Sequence, residues 1–146
     1  MSRPRRDPLT LELFAVPRPA APTPGNLDLD APLRAALSEA LRHAPSDRWG
    51  VAAAMSRLTG REISKYMLDA YTAESRDDHN FPFRYAAAFE QATESYGLTH
   101  LLAKARGCKV LVGEEALLAE LGRIEQQEAE LKQQRLALKR YLEGRQ

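Results

Sequence analysis

The chain has one cysteine, Cys108, among 146 residues, so no disulfide can form within it. A reducing compartment is the expected setting, here the cytoplasm. Long apolar runs are missing too: nothing approaches the ~18–20 residues needed to cross a bilayer, and no membrane span is expected. The N-terminus is rich in arginine and proline and has no apolar h-region, so it is not read as a secretory signal. Charge of one sign is also absent. Lys+Arg number 21 and Asp+Glu 20, for a formal net charge of +1. A whole-protein electrostatic grip on nucleic acid or membrane is thereby excluded, and any such grip needs a local patch.

The parts of an enzyme are missing as well. His43, His79 and His100 are scattered, and with Cys108 they match no zinc spacing, so no metal is expected. There is no glycine-rich phosphate loop and no serine or cysteine in a nucleophile elbow. Asp77-Asp78 and Glu114-Glu115 are adjacent carboxylates that point in different directions, as solvated charge does. Neither an enzyme nor a cofactor is expected.

What is present is proline at the front and helix thereafter. Six of the nine prolines fall within residues 1–24, where they remove backbone donors and fix φ. Residues 1–26 are read as an extended, proline-rich arm. Inside it, Leu9-Thr10-Leu11-Glu12-Leu13-Phe14-Ala15-Val16 begins with apolar–polar alternation, which suits a short docking strand or a motif that folds on a host or phage protein. Residues 27–112 read as a helical domain and 113–146 as a long final helix. Asp30 is the expected cap of a first helix over 31–43, with Leu33, Ala36, Leu37, Ala40 and Leu41 as its apolar stripe. Ser46 is the expected cap of a second helix over 47–58. Thr59 and Glu62 have capping-box spacing, which predicts a third helix from Gly60 to about Ala73. Pro82 suits the start of a fourth helix ending near residue 95. Leu98, Leu101, Leu102 and Ala105 mark a fifth, closed by Gly107 in the left-handed conformation. The class is all-α.

The second and third helices carry the most specific pattern. The second is alanine-rich, Val51-Ala52-Ala53-Ala54, which permits close helix approach. On the third, Ile63, Met67, Ala70 and Tyr71 form the expected inward stripe, with Arg61, Ser64, Lys65, Leu68 and Thr72 opposite. Such a pair suits a helix-turn-helix, whose second helix enters the major groove of double-stranded DNA. Arg61 and Lys65 are then expected one turn apart, reaching guanine edges or phosphates, and Ser64 suits either. Arg48 and Arg57 flank the unit as phosphate contacts. The same residues also suit a plain αα-hairpin with a solvated face, because Asp47, Glu62, Asp69 and Glu74 nearly balance the bases.

Residues 55–108, MSRLTGREISKYMLDAYTAESRDDHNFPFRYAAAFEQATESYGLTHLLAKARGC, resemble a small protein of Mu-like transposable bacteriophages. That likeness extends into LVGEEALLAELGRIE at 111–125. More distantly, residues 50–107 resemble phage regulatory proteins of the CII type. The matching positions are Ser64-Lys65-Tyr66-Met67-Leu68, His79, Phe81-Pro82, Ala92-Thr93, Leu101-Leu102-Ala103 and Gly107. The resemblance implies a phage-encoded DNA-binding protein acting in the host cytoplasm as a transcriptional regulator. The expected turn, Leu58-Thr59-Gly60, is shorter than in that pattern.

In the last helix, Leu117, Leu121, Ile124, Glu128, Leu131, Arg135, Leu138 and Leu142 follow 4–3 spacing, and six of the eight are apolar. This is the pattern of a coiled-coil seam, which implies a homodimer, and it also suits an amphipathic helix packed back on its own domain. Acidic residues dominate 114–130 and basic residues 131–146. Acid first and base last complements the macrodipole. A parallel pair would set Glu128 against Glu128 and Arg135 against Arg135, so antiparallel pairing is preferred. Two functions fit: a dimeric DNA-binding regulator, or a helical interaction protein that binds a host or phage protein without contacting DNA.

Overall fold

The computed structural model describes residues 16–75 and 78–144. Residues 1–15, which hold most of the expected arm and the Leu9–Phe14 motif, lie outside the described residues, as do Arg76 and Asp77. The described residues form six α-helices and no strand: α1 Asp30–His43, α2 Arg48–Thr59, α3 Lys65–Thr72, α4 Ala86–Thr93, α5 Gly97–Ala105 and α6 Glu114–Glu143. A short 3-10 turn, Phe83–Tyr85, leads into α4. The chain forms two compact units, one ending at Val110 and the other beginning at Leu111.

The first unit is a five-helix cluster. Within it α1 packs on α3, α4 and α5, while α2 packs on α3 and α4. Val51, Met55, Phe89, Leu37 and Leu68 are fully buried at its centre. Tyr71, Phe81 and Phe89 make successive edge-to-face contacts, with ring centroids 5.4 and 5.5 Å apart. The stripe expected for α1 is the one that points inward, as do Phe89 and Ala92 of α4.

Two buried charges tie helix ends together. Arg34 of α1 is only 6% exposed. Its guanidinium donates to the Tyr71 and Ala73 carbonyls at 3.4 and 2.9 Å, and to the Asp30 carboxylate at 3.1 Å. A positive charge therefore sits on the last carbonyls of α3, where the macrodipole is negative. Glu90 of α4 does the reverse. Its carboxylate accepts from the Thr99 N–H at 2.8 Å and the Thr99 hydroxyl at 2.6 Å, at the positive end of α5.

The helix starts differ from the sequence expectations for local reasons. Asp30 lies inside α1 and reaches one turn forward to Arg34, while Asp28 takes the Asp30 N–H. Asp47, not Ser46, caps α2 by accepting from the Gly50 N–H at 2.8 Å. The expected capping box at Thr59 is absent. Thr59 ends α2, with its hydroxyl donating back to the Met55 carbonyl, and Gly60 follows at φ +65°. Glycine adopts that left-handed conformation without strain, so α2 stops there. Ser64 caps α3 instead, accepting from the Met67 N–H at 3.2 Å. The α3 start moves from Gly60 to Lys65, and of the expected inward stripe Ile63, Ala70 and Tyr71 are buried, while Leu68 is buried as well and Met67 only partly so. Leu68 therefore does not belong to the outer face.

The second unit is α6, a 30-residue helix that rises about 45 Å. None of its described residues is buried, and Leu117, Leu121, Ile124, Glu128, Leu131, Arg135, Leu138 and Leu142 are all exposed. Among the described residues no helix is long and apolar enough to cross a membrane.

Replacing Leu68 by Ala should lower stability by about 2–5 kcal/mol, and Met67→Ala by clearly less, because only Leu68 leaves a closed cavity. Urea unfolding of the two variants checks this difference. Arg34→Ala should lose about 1.5–3 kcal/mol in the same assay, since it strips charged hydrogen bonds from two carbonyls. Asp30→Asn should cost under about 1 kcal/mol, because Asp30 stays half in solvent.

Candidate nucleic-acid interface

Between α2 and α3 the chain makes a turn over residues 60–64. Ile63, in the middle of it, is 4% exposed. A buried backbone needs partners, and the Ser56 hydroxyl of α2 supplies both. Its oxygen accepts from the Ile63 N–H at 2.9 Å and lies 3.0 Å from the Ile63 carbonyl and 2.8 Å from the Ala52 carbonyl. One side chain thus fixes how far α3 stands from the end of α2. The turn is longer than the expected Leu58-Thr59-Gly60.

The five candidate DNA-contacting residues separate into two groups. Arg57, in the last turn of α2, and Arg61, in the turn itself, are exposed and make no ion pair among the described residues. Arg61 precedes α3 rather than lying on it, so Arg61 and Lys65 are not neighbours one helical turn apart. Arg48 and Lys65 are engaged already. Arg48 donates to the Asp69 carboxylate at 2.8 Å and to the Thr72 hydroxyl at 3.0 Å. Lys65 pairs with the other Asp69 oxygen at 2.6 Å. Ser64 has its oxygen on the Met67 N–H as the α3 cap.

Asp69 is the centre of this group. The Lys65 ammonium hydrogen-bonded to it, with Arg48 beside it, holds its carboxyl below the ordinary 3.8 despite partial burial. The local sum is two positive charges and one negative, so the base of α3 keeps a net positive charge of one. The bridge also links α2 to α3 across the outer surface.

Beside it lies a feature that residue patterning missed. Trp49, the single tryptophan of the chain, and Tyr66 meet edge to face at 5.8 Å. Both are more than half exposed, as is Leu58. Lys65 Nζ lies 5.7 Å from the Tyr66 ring centre. Each aromatic sits in the first turn of its helix, and the expected faces of the third helix assigned Tyr66 to neither side. Ser64 followed by Leu68 and Tyr71 at helical spacing is the sequence signal that would have located it.

His43, His79 and His100 remain apart, and no group of three His, Cys, Asp or Glu among the described residues is arranged to hold a metal ion. Compared with known proteins, the chain matches no family model, no curated protein and no solved structure.

Ser56→Ala should cost about 1–3 kcal/mol, because it leaves the buried Ile63 N–H without a partner. Thermal unfolding checks this. Asp69 supports the fold while it is ionised: its pKa is depressed on folding, so the stabilisation is present above 3.8 and is lost as pH falls through the lower folded value. The stability gap between wild type and Asp69→Asn should be under about 1 kcal/mol for this one-third-exposed pair and should close in acid. Denaturant unfolding at neutral pH and at pH near 3 reads the difference.

Proposed function

We propose that this chain is a non-enzymatic DNA-binding protein, a phage-encoded transcriptional regulator of the host cytoplasm, in which α2 and α3 act as a helix-turn-helix. The observation that carries the reading is the exposed end of α3. Ser64, Lys65 and Tyr66 stand at its capped N-terminus, Leu68 and Tyr71 anchor its other face in the core, and the exposed Arg57 and Arg61 flank it. In a helix-turn-helix the N-terminal residues of the second helix meet the base edges and the first helix crosses the backbone. Lys65 and Arg61 are the base- or phosphate-reaching groups, and Arg57 and Arg48 contact phosphate. Tyr66 and Trp49 add ring faces and polar tips at the same surface. The Asp69 bridge holds Lys65 and Arg48 in place before DNA arrives, at the cost of part of their charge.

The seam of α6 makes the protein a homodimer in this reading, with antiparallel helices. Apolar side chains at Leu117, Leu121, Ile124, Leu131, Leu138 and Leu142 lie uncovered along the whole helix. The Glu128 and Arg135 positions favour a pairing that sets acid against base. The second reading, a helical interaction protein without DNA, is favoured by the exposed Trp49, Tyr66 and Leu58, which a protein partner would also bury.

Arg61→Ala with Lys65→Ala should weaken specific DNA binding at unchanged helicity, by about 1–3 kcal/mol for each bidentate pairing with a base that the substitutions remove. Asp69→Asn should do the opposite, raising affinity and steepening the salt dependence, because it releases two cations toward phosphate. Fluorescence anisotropy on phage control-region DNA at two salt concentrations measures both. Unchanged DNA binding in the double variant, with binding to a partner protein abolished by Trp49→Ala, selects the second reading. Deleting residues 114–146 should leave a monomer by light scattering, with much weaker DNA binding.

A further inference from the structure

Apart from the α2–α3 surface, the first unit has an open apolar groove of about 690 Å³. That size falls within the range of ordinary ligand and peptide pockets. Leu33, Phe81, Phe83, Leu98, Leu102 and Cys108 are among the residues that line it. Phe83 is 81% exposed and Leu102 47% exposed, so the groove leaves large apolar side chains in water. The apolar stripe of α5 holds Leu98, Leu101, Leu102 and Ala105, yet only Leu98 is buried.

The N-terminal chain is pinned to the rim of this groove. The Ala20 N–H donates to the Ala105 carbonyl at 3.0 Å, and Pro19 pairs antiparallel with Arg106, itself a groove residue. Gly107, at φ +71°, is required there, because a Cβ on it would lie 2.3 Å from the Pro19 nitrogen. In an antiparallel register the chain before Pro19 heads past Gly107 toward Cys108. Residues 16–18 therefore join the preceding fifteen residues to the chain at the groove rim. Those fifteen include Leu9, Leu11 and Leu13, which alternate with Thr10 and Glu12, and then Phe14. In an extended segment those leucines share one face at about 6.6 Å spacing. Leu13 is three residues from Val16, a reach of about 10 Å.

We propose that the groove is the docking site of the chain's own segment Leu9–Phe14, which lays its leucine face along Leu33, Phe83 and Leu102. The tether decides between the chain's own segment and that of a second copy. A segment held by a short linker presents itself at millimolar effective concentration, far above a second copy at micromolar concentration. The inference is independent of the DNA-binding reading, since no residue of the groove belongs to the α2–α3 surface.

Cys108 supplies the probe, being the sole thiol of the chain and part of the groove wall. Its rate of modification by a bulky aromatic disulfide should be compared in the full-length protein and in the full-length variant Leu11→Glu/Leu13→Glu/Phe14→Glu. Leu11, Leu13 and Phe14 lie outside the described residues, and circular dichroism should show equal helicity in the two proteins. Expected is modification at least five-fold faster in the variant. Phe83→Ser, on the groove side, should give the same acceleration, and combining it with the triple variant should add nothing further. Equal rates in wild type and variant would overturn the proposal. So would protection in the wild type that fades on dilution from micromolar to nanomolar, because that marks a segment supplied by a second copy.

Discussion

The position of α3 depends on a buried guanidinium. A helix of eight residues is too short to persist in water by itself, since isolated helices below ~12–15 residues are marginal. Arg34 reaches across from α1 and takes the Tyr71 and Ala73 carbonyls that α3 cannot satisfy. At the other end Ser64 takes an orphan N–H, and Ser56 holds the preceding turn by both sides of Ile63. Between those ends Leu68 and Tyr71 fill the core. The outer face of α3 is therefore presented by a framework that spans α1 and α2, not by the helix itself.

The same economy governs the charges on that face. A chain with net charge +1 has no general attraction for DNA, so local arrangement decides what it can bind. Asp69 draws Arg48 and Lys65 together, which stiffens α2 against α3 and lowers the charge that either can offer. Arg57 and Arg61, outside that bridge, keep their full charge. A surface of this kind combines two exposed guanidinium groups, a braced pair and two exposed rings.

The two units divide the tasks. The five-helix cluster carries the α2–α3 surface on one side and the apolar groove on another, with Glu90 on the groove wall also fixing the start of α5. The α6 helix offers apolar side chains along its length and buries none of them. Each surface holds apolar side chains in water.

Much of the helical architecture was legible in the sequence because it is local. Leu37, Ala40 and Leu41 recur with the helix period, Gly107 adopts its left-handed turn as expected, and α6 runs over the residues that its spacing marks. The start of α3 was not legible. Thr59 and Ser64 are both good caps, and only the burial of Ile63 against Ser56, seven residues apart, selects the second. That selection turned Leu68 inward, took Arg61 off the helix and brought Tyr66 to Trp49. The buried roles of Arg34 and Glu90 were equally hidden, because a charged residue in an amphipathic helix reads as solvated until a distant helix end arrives to meet it. Period and capping chemistry act within a few residues, and the sequence by itself determines what they control. The choice between two equally good local signals belongs to tertiary structure, since burial alone sets the penalty for an unpaired N–H or carbonyl.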